Sequence, residues 1–210
     1  MTLPVVTALE PEPRRPGVLR VELDGARFGA VPEDLARSAG LAVGQALDAA
    51  LQERLTAAVD AEAAFRTLVR ALERRGFARA DLARRLVRKG HPREAVEAAL
   101  ARAAGLGLLD DGAFARNYVE TRTARGRGPS RLTRDLLAMG VERSAITQAL
   151  AAEWPEGHDR TGVPQALAAK RAAQLGDLPR PVKRRRVLAF LARRGFAGRD
   201  ISDMVSRLVG

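Results

Sequence analysis

A helix–glycine–helix unit recurs in this chain at a fixed offset, and that recurrence limits the fold more than any other feature. Leu82, Leu86, Gly90, Val96 and Leu100 return fifty residues later as Leu132, Leu136, Gly140, Ile146 and Leu150. A third copy follows at an offset of fifty-five, as Val187, Leu191, Gly195, Ile201 and Val205. Self-similarity at such a spacing marks a tandem-repeat architecture. Repeat arrays bury their apolar stripes partly against neighbouring units and present a long surface to a long partner, rather than enclosing an enzyme pocket.

The apolar periodicity and the breakers between its runs divide the chain. Residues 1–17 hold four prolines and no period, which predicts a flexible tail. In 18–31, apolar and polar positions alternate around Asp24-Gly25, a favoured pair for a tight β-hairpin turn. An isolated hairpin is marginal in water, so it is expected to dock on a short helix at 32–38 and on the helix after it. Residues 48–60, with Leu51, Leu55 and Val59 spaced by four and Asp48 as N-cap, predict that helix. Repeat 1 then has helices at 62–75, 79–89 and 92–104, broken at Gly76 and at Gly90-His91-Pro92. Repeat 2 opens after Asp110-Asp111 with a helix ending near Gly126, followed by Pro129 to Gly140 and by 142–153. A breaker-rich linker (154–162) leads to repeat 3, with helices at 163–175, 180–194 and 198–209. The expected organisation is a tail (1–17), a hairpin-and-helix module (18–60) and three-helix repeats at 61–109, 110–158 and 159–210. The fold class is mainly α: three tandem three-helix repeats in an elongated, curved array, with a small N-terminal β-hairpin module.

Charge narrows the partner. Residues 1–60 carry 6 Lys/Arg against 9 Asp/Glu, while residues 61–210 carry 30 against 16, a net of +14. A basic repeat region beside a mildly acidic N-terminus points to a polyanion, or to a protein that carries one. Only three of the basic residues are lysines. That skew is typical of a GC-rich genome and accounts for some arginine on solvated faces, but drift would charge both parts of the chain alike.

Enzyme chemistry finds little support. There is no P-loop, no dinucleotide-binding glycine pattern and no metal-ligand spacing, so no cofactor or metal is expected. His91 sits beside a proline and His158 in the linker. Asp110 and Asp111 form an adjacent carboxylate pair whose simplest role is helix capping. There is no cysteine for a disulfide or a thiolate nucleophile. The N-terminus has no secretory apolar core, and no run approaches the ~18 apolar residues of a membrane span. The expectation is a soluble cytoplasmic protein, and nothing demands more than a monomer.

The most specific stretch runs from Gly107 to Val141. Gly126 and Gly128 free the backbone for a tight turn, and Pro129 starts a helix whose first N–H groups lack intrahelical partners. Arg122, Arg125, Arg127, Arg131 and Arg134 crowd that helix start. A positive dipole end, open N–H groups and guanidinium forks together suit phosphate or carboxylate. The plainer reading is a turn and cap with solvated arginines. A second run, Lys183-Arg184-Arg185-Arg186, falls on one helix. Four consecutive positions cover every side of a helix, so at least one must lie toward the core with its stem packed and its head snorkelling. Arg84, Arg85, Arg88 and Lys89 in repeat 1 read instead as a solvated face.

This chain resembles the RecX family, regulatory proteins that bind the RecA recombinase. The resemblance is carried by Gly107, Leu108, Leu109, Asp110, Asp111, Phe114, Ala115, Tyr118, Val119, Arg122, Gly126, Gly128, Pro129, Arg131, Leu136, Gly140 and Val141. An apolar-Asp-Asp opening, an aromatic pair and a Gly-x-Gly-Pro turn make the pattern specific. It extends over the three repeats, fits repeat 3 less closely, and includes at 18–60 a segment similar to an N-terminal extension that some members carry. The resemblance implies a non-enzymatic modulator that binds the RecA–DNA filament and suppresses ATP hydrolysis, strand exchange and filament growth, in recombination and the SOS response. The filament-contacting residues expected are Arg122, Arg125, Arg127, Arg131, Arg134, Lys183, Arg184, Arg185 and Arg186. The rival reading is a direct DNA-binding protein built from helix-turn-helix-like triplets; the charge fits both.

Overall fold

The Asp-Gly pair forms its turn as the sequence predicts. Asp24 (φ 49°) and Gly25 (φ 79°) both take positive φ and join strand β2 (Val18–Leu23) to β3 (Ala26–Pro32) in antiparallel register. This computed structural model describes residues 3–155 and 162–209. His158, and 156–161 of the expected linker, lie outside the described residues. Within the tail expected at 1–17, strand β1 (Val6–Pro11) pairs antiparallel with β2, giving a three-stranded sheet in the order β1-β2-β3. The prolines sit where an edge strand tolerates them: Pro11 ends β1, opposite Leu19. The turn itself pins the strand, because Asp24 accepts from the Val5 N–H and Thr7 Oγ1 accepts from the Gly25 N–H, each at 2.9 Å.

Helix α1 (Glu33–Ser38) follows β3, and α2 runs unbroken from Ala49 to Leu72, started by the Asp48 side chain accepting from the Leu51 N–H at 2.7 Å. The sequence predicts two helices here, and the expected module boundary at 60/61 falls inside α2. No glycine or proline interrupts 49–72, and the charge of Glu62 is met on both sides. Glu62 is 5% exposed and ion-pairs with Arg15 and, at 2.8 Å, with Arg102. Leu51, Leu55 and Val59 pack with the sheet residues Val6, Val21 and Val31. Further along α2, Ala64, Leu68 and Ala71 pack with Leu82 and Leu86 of α3 (Arg79–Arg88) and with Val96, Ala99 and Leu100 of α4 (Arg93–Gly105). Gly29 lets β3 approach α2, since a Cβ there would lie 2.4 Å from a Val59 methyl.

The chain separates into two compact units. The first comprises residues up to Phe77 with Asp81–Leu109; the second comprises Ala78–Ala80 and everything from Asp110 onward. The second unit holds α5 (Asp111–Thr123), α6 (Pro129–Met139), α7 (Arg143–Glu153), α8 (Gly162–Gln174), α9 (Arg180–Arg194) and α10 (Arg199–Val209). One core gathers Ala115, Val119, Leu132, Leu136 and Ile146; another gathers Ala168, Val187, Leu191, Ile201 and Val205. The recurring apolar positions are thus core positions, and each is buried except Leu150, which is half-buried. The recurring glycines Gly90, Gly140 and Gly195 all take positive φ, between 84° and 96°, the conformation that stops a helix at little steric cost. The fold is mainly helical with a small N-terminal sheet, and no helix among the described residues is long and apolar enough to cross a membrane.

Candidate functional site

The two adjacent aspartates before α5 divide their work. Asp110 is the N-cap, accepting from the Ala113 N–H at 2.8 Å. Asp111 accepts from the Arg79 backbone N–H at 2.8 Å. Phe114 and Tyr118 follow one turn apart with ring centroids 6.0 Å from each other. Gly126 (φ 72°) follows the end of α5, and the Arg127 N–H returns to the Arg122 carbonyl at 3.0 Å to close the last turn.

The start of α6 differs from the open anion cradle that the sequence predicts. The Gly128 N–H donates to the Arg194 carbonyl at 2.8 Å, and the Ser130 N–H donates to the Gly195 carbonyl at 3.2 Å. The positive end of α6 therefore meets the negative end of α9, an arrangement that both macrodipoles favour. Two glycines make the approach possible. A Cβ on Gly128 would stand 2.6 Å from the Gly195 carbonyl, and one on Gly195 would stand 2.4 Å from the Arg131 nitrogen. Arg194 completes the joint, with Nη1 3.3 Å from the carbonyls of Arg125 and Gly126 and its guanidinium 5.0 Å from the Phe190 ring centre. The Gly-x-Gly-Pro turn is thus where the second repeat receives the third.

The arginines around the turn are relieved in part by a residue that the sequence pattern does not single out. Asp135, with a side chain 15% exposed, accepts from Arg127 Nη1 at 2.8 Å and pairs with Arg131 Nε at 2.9 Å. The Tyr118 hydroxyl donates to the same carboxylate at 3.3 Å. Burial first, and then the Asp135 charge, pushes the Tyr118 phenol above its ordinary range, so it stays protonated and able to donate. The i, i+4 spacing of Arg131 and Asp135 was the available signal. Arg122 lies 5.3 Å from the Tyr118 ring centre, in cation–π range. Arg125 and Arg134 are exposed and carry no ion pair among the described residues.

On α9, Lys183 is half-buried on the line that continues through Val187 and Leu191, which is the core-side position required of one member of that run. Arg184 is fixed over α10, donating to Ser206 Oγ and Ser202 Oγ at 2.9 Å each. Arg185 and Arg186 are exposed and without an ion pair among the described residues. This run is not brought to the turn. Arg186 precedes Arg194 by eight residues, about 12 Å of helix.

Fold and site together define a class: a protein of repeated three-helix units with an arginine-rich surface whose guanidinium groups are partly held in place and partly open. The family model described as RecX, second three-helix domain, matches residues 110–150. The regulatory protein RecX of Chromohalobacter salexigens is 34% identical over 130 residues, covering 61% of this chain and 81% of that protein. The RecX of Pseudomonas entomophila is 33% identical over 144 residues, covering 69% and 88%. A crystal structure of a regulatory protein RecX superposes with a TM-score of 0.78 at 25% identity, over 98% of this chain and 100% of the other. The RecX structure from Lactobacillus salivarius, at 20% identity and a TM-score of 0.61, shares the fold. The chain belongs to the RecX family of regulatory proteins.

Proposed function

We propose that this protein is a non-enzymatic inhibitor of RecA. It binds the RecA–DNA filament as a monomer in the cytoplasm, without cofactor or metal, and suppresses ATP hydrolysis, strand exchange and filament growth. The reading is carried by four exposed arginines that make no ion pair among the described residues, Arg125, Arg134, Arg185 and Arg186, in a chain of this family. Arg127, Arg131 and Arg184 complement them: each is held by a partner, which lowers the entropy lost when a remaining N–H meets an anion. Arg122 and Lys183 flank the two groups. Such charges steer encounter with an anionic filament more than they set the final affinity.

The experiment is co-sedimentation with RecA filaments assembled on single-stranded DNA, comparing the wild type with Arg125→Gln/Arg134→Gln/Arg185→Gln/Arg186→Gln. These positions are exposed, so the variant keeps its melting temperature and loses filament binding several-fold. Equal binding by the two proteins removes these arginines from the interface. Direct DNA binding is the second reading, favoured by the net +14 of residues 61–210. It requires an affinity for naked DNA that falls steeply with salt.

A further inference from the structure

The cations that the sequence assigns to a solvated face of repeat 1 include two that line a cavity of about 250 Å³ in the first unit. Its walls carry Arg70, Arg74, Arg75, Arg85 and Lys89, with Thr67 and Phe77, and among the described residues no carboxylate. None of these five cations makes an ion pair among the described residues. The contrast with the second unit is direct, since Asp135 there pairs with Arg127 and Arg131.

Two guanidinium groups share the Phe77 ring. Arg75 lies 3.8 Å and Arg85 5.5 Å from its centre, and the ring itself is buried. Arg85 Nε is buried and donates to no acceptor among the described residues, a costly state for a charged donor. Stacking holds both forks in place while five like charges face one another, an arrangement that an anion stabilises. The cations also continue beyond the cavity. Arg66 and Arg70 stand one turn apart on α2, about 6 Å along its axis, both exposed, and Arg74 follows just past its end. A single small anion would leave that row unused, whereas a chain of phosphates would follow it.

We infer that this cavity receives a backbone phosphate of a nucleic-acid strand, with neighbouring phosphates along Arg66, Arg70 and Arg74. The site is separate from the arginines of α5, α6 and α9, and its test contains no RecA, so its outcome is independent of the filament reading. Anisotropy of a labelled single-stranded oligonucleotide is measured across a salt series for the wild type and for Arg74→Gln/Lys89→Gln, both exposed positions with no ring contact among the described residues. The variant binds about tenfold more weakly at low salt, and its plot of log affinity against log salt flattens by about 1.4, at ~0.7 per lost contact. Arg75→Gln/Arg85→Gln has the same effect if it folds; if it does not, the exposed pair decides. Unchanged affinity and slope in Arg74→Gln/Lys89→Gln overturn the inference. An equal loss in Arg185→Gln/Arg186→Gln overturns it as well, because net charge alone would then account for binding. Inorganic phosphate serves as the second probe. If it raises the melting temperature of the wild type alone while oligonucleotide affinity is the same in all variants, the cavity is a free-anion site and the nucleic-acid assignment fails.

Discussion

Gly128→Ala tests the joint between the second and third repeats with one methyl group. The added Cβ would lie 2.6 Å from both the carbonyl carbon and oxygen of Gly195 and 2.8 Å from Phe196 Cδ1. Two of these atoms are backbone, so relief requires α9 to withdraw by roughly 1 Å, to reach a van der Waals separation near 3.5 Å. That movement stretches the hydrogen bonds Gly128 to Arg194 (2.8 Å) and Ser130 to Gly195 (3.2 Å) beyond useful length. Overpacking costs about 1–3 kcal/mol, and two backbone hydrogen bonds contribute about 0.5–1.5 kcal/mol each. Some of this returns through relaxation and rehydration, leaving a loss of about 2–4 kcal/mol. At about 4 °C per kcal/mol for a unit of this size, the melting transition of the second unit falls by roughly 8 °C or more. The assay is thermal melting, with hydrogen exchange to localise the change to α6, α9 and α10. Gly105→Ala is the control: nothing lies within 4 Å of its added Cβ and its φ is not positive, so it is neutral or mildly stabilising. If Gly128→Ala melts with the wild type, the close approach of the two glycines does not hold the joint.

Three further outcomes are expected. Reversing Arg127 and Arg131 to Glu sets two carboxylates beside Asp135 in place of its two arginine partners, so the second unit loses about 1–3 kcal/mol in urea melts; for that reason the exposed arginines, and not these two, are the clean probes of binding. Glu62→Gln leaves Arg15 and Arg102 without their shared carboxylate. A fully buried pair costs about 3–5 kcal/mol to break, but Arg102 is 47% exposed, so about 1–3 kcal/mol is expected in the first unit. The His91 imidazole is held below its ordinary value, first by burial and then by Lys89, with Arg66 adding and Asp60 opposing. The unfolded chain therefore binds the proton more readily than the folded one, and stability falls as pH drops through about 6.5. The first unit of the wild type loses melting temperature between about pH 7.5 and 5.5 more steeply than His91→Gln, and parallel slopes would refute this.

What the sequence shows of the fold is its periodicity, and what it conceals is pairing across distance. Leu82, Leu132 and Val187 announce their helices because each buried stripe repeats every three or four residues, and the three glycines stop those helices by local geometry alone. β1 is hidden because its strand character depends on β2, while its prolines speak locally for a tail. The unbroken α2 is hidden because Glu62 looks like a surface residue until Arg15 and Arg102 arrive from elsewhere in the chain. At the turn, the glycines and arginines are legible, but their surroundings are not. Gly128 faces Gly195 across sixty-seven residues of chain, so an N-terminus that looks open in sequence is closed by the end of another helix. The same blindness works the other way at Arg85 and Lys89, where a solvated helix face becomes the wall of a cation-lined cavity once α2 and Phe77 are beside it.

The central claim is inhibition of RecA through its filament, and its most direct measurement is DNA-dependent ATP hydrolysis by the cognate RecA with this protein titrated from well below equimolar. Inhibition is expected at substoichiometric ratios, weakened in Arg125→Gln/Arg134→Gln/Arg185→Gln/Arg186→Gln. Hydrolysis that continues unchanged at every ratio would contradict it.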